Sequence, residues 1–211
     1  KGELMKKYLL NIILSISAFF LLTSPSYAQT TMSPESQYIF NTLAFYIGAV
    51  LVALMAAGFC MLECGLVTNK SVSSIAAKNV GKFAICSIVF YIVGYNLAYG
   101  VAEGGYIGTF TTWSDSSKID TGYSDHSDWL FQAMFCCATV SIVSGAVAER
   151  IKIWPFFLFA VIMSGLIYPI SMSWTWGGGI LSKLGFLDFA GSSIVHALGG
   201  SAALAGVIVL G

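Results

Sequence analysis

The chain has 211 residues, of which 57% are hydrophobic and only 9% are charged, and its mean hydropathy is +0.81. A soluble domain carries about a quarter charged residues, so this composition excludes an ordinary water-soluble domain and predicts an integral membrane protein. The ten basic and ten acidic residues cancel, which argues against a basic surface that would bind nucleic acid.

The N-terminal residues have the pattern of an export signal. Two lysines precede the apolar run 8–22, and small residues follow that run. We therefore expect a signal peptide over residues 5–28, preceded by upstream read-through at 1–4 and followed by an outer tail over 29–35. An uncleaved first span is the alternative, but Pro25 and the shortness of the run favour cleavage.

Residues 36–211 form one predicted membrane domain. Each of its five apolar segments is close to the ~20 residues that cross a bilayer as a helix. The alternating pattern of a β-barrel is absent, so we predict an all-α integral membrane domain. The predicted spans run from Ser36 to Val67, from about Ser74 to Tyr99, from Trp129 to Ala148, from Ile153 to Met172 and from Phe189 to Leu210.

Charges between the spans predict the orientation. The first connection holds Lys70, with Lys78 and Lys82 just beyond it, and the third holds Arg150 and Lys152. By the positive-inside rule, these connections face the cytoplasm. The second connection is acidic, which places it, with the mature N-terminus, outside the inner (plasma) membrane. Its charged residues are Glu103, Asp115, Lys118, Asp120, Asp125 and Asp128.

Two pairs of aromatic residues mark the outer end of the predicted bundle. Phe131 and Phe135 are four residues apart and therefore lie on the same helix face. Trp174 and Trp176 lie in the connection that enters the fifth span. Ring faces at a pore mouth could attract a small cation, whereas an interfacial aromatic belt is the structural alternative.

Asp188 and His196 are the ionisable residues of the fifth predicted span. Asp188 is expected at its N-cap, where it either caps the helix or makes the outer mouth attractive to cations. His196 lies eight residues further on, about 12 Å along the axis and near the middle of the bilayer. Small residues surround it, which favours a pore-lining position over a purely structural histidine.

The remaining polar residues do not indicate an enzyme. Glu63 is interpreted as an interhelical anchor rather than part of a proton path, and Glu149 and Arg150 as residues that orient a helix end. The sequence contains no nucleophile constellation and no phosphate loop, and we expect no cofactor and no metal site. The five cysteines read as small apolar fillers of helix interfaces: Cys60, Cys64, Cys86, Cys136 and Cys137.

Several segments in order strongly resemble the ammonium transporter family, which includes the Amt, Mep and Rhesus proteins. The resemblance covers about residues 36–211, and the tryptophans at 174 and 176 favour its Amt branch over a Rhesus-type channel. The segments that carry it are 58–67, from Gly58-Phe59-Cys60 to Val67; 131–135; 144–152, from Ser144-Gly145-Ala146 to Lys152; 176–179, Trp-Gly-Gly-Gly; 187–191, Leu-Asp-Phe-Ala-Gly; and Val195-His196.

This resemblance implies a fold and a set of roles. The family fold is an eleven-helix bundle, usually a homotrimer, built from two inverted five-helix halves; this chain would be the first half, truncated. Phe135, Trp176 and Asp188 would recruit ammonium at the outer side. Phe131 and Phe135 would form the pore gate, and His196 would relay protons inside the pore.

The resemblance also implies a mechanism and partners. Ammonium would bind outside and lose a proton, and ammonia would then cross a hydrophobic pore. In a transporter, a cytoplasmic PII-type regulatory protein is an expected partner. The alternative is an ammonium sensor, in which the same bundle is fused to a C-terminal signalling domain.

Overall fold

The computed structural model describes residues 32–112 and 118–211. The predicted signal peptide over residues 5–28 and the read-through segment 1–4 lie outside the described residues. Every regular element of the described part is helical. The helices are α1 (Pro34–Leu66), α2 (Val72–Tyr99), α3 (Asp125–Ala146), α4 (153–175), the short α5 (Ile180–Lys183) and α6 (Ser192–Leu210).

Five helical segments are long and apolar enough to cross a membrane, when α4 and α5 are counted as one. The predicted all-α membrane domain and its five spans are therefore confirmed. Pro34 opens α1, where its missing N–H is not needed, and Glu35 follows in the first turn, where a carboxylate suits the helix dipole.

Two spans begin three or more residues away from their predicted starts. α3 begins at Asp125 instead of Trp129, because the acidic residues Asp125 and Asp128 occupy its first turn and favour the helix N-terminus. α6 begins at Ser192 instead of Phe189, after Gly191 in the left-handed region at φ 88°. The loop before α6 is therefore longer than the apolar pattern indicated.

Helix α3 lies at the centre of the bundle. It packs against α1, α2 and α6. Of the residues in its most apolar 18-residue segment, 61% are buried, compared with 6% in the corresponding segment of α1. Most of the α1 surface is apolar and exposed, as at Phe40, Ile47 and Leu54. Such a surface is stable where lipid surrounds it, which agrees with a membrane location.

The crossing of α2 and α4 is built from small residues and two π-helical turns. The turns are Phe90–Gly94 in α2 and Met163–Ile167 in α4. A Cβ atom on Gly94 would lie 2.8 Å from the carbonyl oxygen of Ser164, so the two backbones approach as closely as a glycine allows. A π-turn adds a residue to the helix and shifts the face presented beyond it.

Hydrogen bonds tie the connections together at each end of the bundle. At one end, Thr68 after α1 donates through its N–H to Glu149 after α3, over 3.2 Å. At the other end, Asn41 near the start of α1 donates to the carbonyl of Gly122 before α3, over 2.9 Å. The first and third connections thus lie at the same end of the bundle, as the predicted orientation requires. That this end faces the cytoplasm stays a prediction.

We predict that Gly94→Ala destabilises the protein by about 1–3 kcal/mol, because the added Cβ overpacks the α2–α4 crossing. Gly58→Ala in α1 is the matched control. A Cβ there has nothing within 4 Å, so this change should be neutral or slightly favourable. Thermal unfolding in detergent compares the two variants, and equal midpoints would contradict the close approach.

Candidate functional site

A row of four aromatic rings crosses the bundle near the N-terminal end of α3. Phe45 of α1 lies 5.5 Å from Phe131, Phe131 lies 5.0 Å from Phe135, and Phe135 lies 5.4 Å from Trp176, all between ring centroids. We call Phe45, Phe131, Phe135 and Trp176 the aromatic row. The phenylalanines of α3 meet because they are four residues apart on one helix face.

The glycine triplet after α4 holds Trp176 at the end of this row. Gly178 adopts φ +81°, which disfavours a side chain. A Cβ on Gly177 would collide with the carbonyl of Ala98 at the end of α2. The turn therefore packs directly on α2, and it leaves the Trp176 indole half-buried beside Phe135.

The Asp188 carboxylate organises the start of α6. Oδ1 accepts the N–H groups of Gly191 and Ser192 at 2.8 and 2.9 Å. Oδ2 accepts the N–H groups of Ser193 and Ile194 at 2.8 and 2.9 Å, and the Ser193 hydroxyl at 2.6 Å. One carboxylate thus satisfies four backbone donors that a helix leaves unpaired at its N-terminus.

These hydrogen bonds also fix the charge of Asp188. Burial alone would raise the pKa of Asp188, but the hydrogen bonds from the Ser193 hydroxyl and from the N–H groups of Ile194, Ser193 and Gly191 outweigh it. The pKa falls from 3.8 to about 2. The backbone carbonyl of Asp188 in turn accepts the indole N–H of Trp176 at 2.6 Å, which links α6 to the aromatic row.

His196 lies in the first, π-helical turn of α6, and its backbone N–H donates to the Gly191 carbonyl at 3.0 Å. Its side chain is exposed on the bundle surface formed by the described residues, where its imidazole has no hydrogen-bond partner. Because α6 begins at Ser192, His196 lies only four residues into the helix, which makes the predicted depth of about 12 Å too large.

Of the predicted site residues, Phe131, Phe135, Trp176 and Asp188 form one continuous series of contacts. Trp174 does not join the aromatic row, because its indole donates to the Tyr106 carbonyl instead, at 2.7 Å. The prediction that Asp188 occupies the N-cap is wrong. Gly191 holds that position, and Asp188 caps the helix with its side chain from three residues earlier.

A buried polar network, which the sequence reasoning missed, lies between α1, α2 and α3. Lys78 and Lys82 were used as charges just beyond the first connection, and their burial was not predicted. Both lie inside α2 and are only 3% and 1% exposed. Their spacing of four residues on one helix face was the signal that could have found them. The network comprises Glu63, Lys78, Asn79, Lys82, Ser141 and Ser144.

Asp128 was likewise counted as a loop charge and is instead buried in α3. It accepts the Tyr95 hydroxyl at 2.6 Å and the Gln132 amide at 3.2 Å. Within the described ranges, no group of three or more histidine, cysteine or acidic side chains has a metal-binding arrangement. The chemistry that the aromatic row and Asp188 can perform is the recognition of a small cation by ring faces.

Comparison with known proteins identifies the family. A sequence profile described as the Ammonium Transporter Family matches residues 43–211. The chain belongs to this family. An ammonium transporter of Archaeoglobus fulgidus is 40% identical over 171 residues, which cover 76% of this chain and 36% of that protein. One of Aquifex aeolicus is 34% identical over 208 residues, covering 96% and 47%.

Solved structures agree with this assignment to the ammonium transporter family. The structure titled "Sensor Amt Protein" matches with a TM-score of 0.74 and 33% identity, over 81% of this chain and 44% of that one. Mep2 of Candida albicans matches with a TM-score of 0.74 and 28% identity, over 85% and 41%. The chain thus spans about half or less of the length of the relatives that it matches.

We predict that Asp188→Asn destabilises the protein by about 1–3 kcal/mol, because an amide oxygen cannot replace both oxygens of the carboxylate as acceptors. The variant should also lose the part of the pH dependence of stability that comes from protonation of Asp188. The folded-state pKa of Asp188 is depressed, so its contribution to stability is complete above pH 3.8 and is lost as the pH falls towards about 2.

Thermal unfolding of wild type and Asp188→Asn in detergent, over that acid range, measures this difference. The gap between the two proteins should narrow as the pH falls. Asp120→Asn, at an exposed position before α3, is the matched control and should behave as wild type. A gap that is constant with pH would show that the charge of Asp188 does not cap α6.

Proposed function

We propose that this chain is the first five-helix half of an eleven-helix ammonium transporter. The whole protein would bind ammonium at its outer side, remove a proton and conduct ammonia through an apolar pore. Membership in the ammonium transporter family supports this substrate. The relatives are named as transporters, which supports a transport function rather than an enzymatic one.

The aromatic row is the observation that carries the proposal. Its four rings form an unbroken series of contacts from α1 to Trp176. Phe135 and Trp176, with the charge of Asp188 behind them, would recruit ammonium, and Phe131 and Phe135 would gate the pore. An ion is expensive to place in hydrocarbon and ammonia is not, so removal of the proton lets the substrate pass. Potassium has no proton to lose and would be rejected.

His196 would relay protons in the pore. Its imidazole lies on a surface of α6 that also carries Gly200 and Leu204, and all three are exposed in the part of the chain that is described. A second inverted half packed on this surface would enclose the histidine, as inverted-repeat transporters require. Small residues beside His196 would let a second helix approach closely.

The location and assembly of the whole protein are proposals as well. The five apolar helices support a multi-pass membrane protein. We place it in the inner (plasma) membrane with its mature N-terminus outside, as a homotrimer regulated by a PII-type protein. An ammonium sensor with an added signalling domain is the second candidate, and the likeness to a structure titled "Sensor Amt Protein" favours keeping it.

We predict that Trp176→Leu in the intact protein lowers the uptake of labelled methylammonium by about tenfold, because a cation–π contact at a half-buried ring contributes ~1–2 kcal/mol, between the values for exposed and desolvated sites. His196→Ala should also reduce uptake. The matched controls are Trp154→Leu, at an indole that is 77% exposed, and His126→Ala, at an exposed histidine in the first turn of α3.

Membrane abundance is measured for each variant, so that folding defects are separated from transport defects. If Trp176→Leu and His196→Ala take up methylammonium at the level of their controls, the recruitment role of Trp176 and the proton-relay role of His196 are rejected. Ammonium binding by the wild type without any measurable flux would favour the sensor.

A further inference from the structure

Lys82 is a lysine in the middle of a membrane helix. It lies ten positions after the start of α2 at Val72, about 15 Å along the axis, which is half the thickness of a ~30 Å hydrocarbon core. Its side chain is 1% exposed. An ionisable residue at this depth is costly, and within membrane proteins such residues commonly carry protons or ions.

The hydrogen bonds of Lys82 satisfy a neutral amine fully, whereas an ammonium group would have a third N–H. Nζ contacts two oxygens: Oδ1 of Asn79 at 2.6 Å and Oγ of Ser141 at 2.8 Å. Neither oxygen is charged, and no carboxylate of the described residues forms an ion pair with Lys82. Two acceptors match the two N–H bonds of a neutral amine, which leaves its lone pair free to take a proton.

Lys78 shows the contrasting arrangement within the same network. Its Nζ lies 3.4 Å from Glu63 Oε2, 3.0 Å from the Ser144 carbonyl and 4.9 Å from the ring centroid of Phe156. These three partners suit an ammonium group, and the Glu63 carboxylate cancels its charge. The pair is therefore neutral as a unit.

The charge of the network then depends on Lys82 alone. The ionisable groups that face it are Glu63 and Cys60 of α1, Lys78 and Cys86 of its own helix, and Cys137 of α3. Since Glu63 and Lys78 cancel, and the thiols supply no ion pair, the network carries one positive charge or none. These two states differ by a single proton on Lys82.

A path for that proton leads through Ser141. This serine lines a cavity of about 370 Å³ between α1, α3 and the connection after α3, together with Glu63, Gly145, Glu149 and Arg150. Oε1 of Glu63 is buried and has no hydrogen-bond partner among the described residues, so it offers an acceptor beside the cavity. The Ser141 hydroxyl accepts from Lys82 and donates to the Cys137 carbonyl at 2.7 Å. It would connect the cavity to Lys82 by turning its O–H from that carbonyl towards the cavity.

We propose that Lys82 is an intramembrane proton-binding site, which exchanges a proton with the cavity through the Ser141 hydroxyl. The site lies on a different face of α3 from α6: Ser141 and Ser144 contact α2, whereas Ile142 contacts Gly199 of α6. The proton site is thus separate from the pore assigned to His196.

The role of this site in transport rests on the proposed function. A transporter that conducts ammonia needs a group that accepts the proton that ammonium loses. In that transfer an N–H bond of ammonium breaks and an N–H bond of Lys82 forms, with water carrying the proton between them, and the products are ammonia and the lysine ammonium group. Ser141 is six residues beyond Phe135, about 9 Å along α3, which sets the span that the proton must cross.

The first test reads the proton on Lys82 without any substrate. The intact protein is labelled with ¹⁵N at the lysine side chains, and the Lys82 signal is identified by its loss in Lys82→Met. We expect this signal to change between its ammonium and amine forms within the pH range in which the protein stays folded. Lys70, exposed in the first connection, provides the comparison. A Lys82 signal that stays in the ammonium form and follows Lys70 over that range overturns the proposal.

The second test asks whether transport uses the site. Lys82→Arg keeps a permanent positive charge, and Lys82→Met removes the base, so each should lower methylammonium uptake by about a hundredfold. Lys70→Met should stay within about twofold of wild type, as expected for an exposed residue. Normal uptake by both Lys82 variants at equal abundance overturns the transport role. If the wild type transports nothing, the proposed function fails, and the pH-dependent Lys82 signal still decides the proton site.

Discussion

The hydrocarbon of a bilayer offers no hydrogen-bond partners, so every polar group inside it must be satisfied by the protein itself. This constraint explains the two polar clusters of the bundle. At the start of α6, one carboxylate, Asp188, accepts four backbone N–H groups and a hydroxyl. Between α1 and α2, Glu63 forms an ion pair with Lys78 and also accepts hydrogen bonds from Asn79 and Ser144.

Asp188 both satisfies the polar groups at the start of α6 and positions residues of the proposed site. Its side chain sets where α6 begins, and its backbone carbonyl holds the indole of Trp176. The positions of Trp176 and His196 therefore depend on one residue that is itself 8% exposed. A carboxylate that is held by this many donors stays charged, and a fixed negative charge behind an aromatic surface favours a cation at that surface.

The sequence predicted those features that follow from spacing along one helix. Apolar length predicted the five spans, and the separation of four residues predicted that Phe131 and Phe135 would touch. Features that depend on packing between helices were missed. Nothing in the chain indicated that Phe45 of α1 would join the aromatic row. Lys78 and Lys82 were used only as charges next to the first connection, because their burial depends on packing against α1 and α3. The start of α6 was misplaced because a carboxylate can cap a helix from several residues away.

Helix α3 separates two environments that the proposed chemistry needs to keep apart. On one side, Phe131 and Phe135 present apolar rings, along which neutral ammonia would pass without a counter-charge. On the other side, Ser141 accepts Lys82 of α2 through its hydroxyl, and Ser144 donates its hydroxyl to Glu63 of α1. Both kinds of residue fit one helix because a hydroxyl can also return a hydrogen bond to the preceding turn, as Ser141 does to the Cys137 carbonyl at 2.7 Å. In the proposed transporter, the proton bound at Lys82 and an ammonia molecule would therefore lie on different faces of the same helix, while His196 would relay protons within the pore itself.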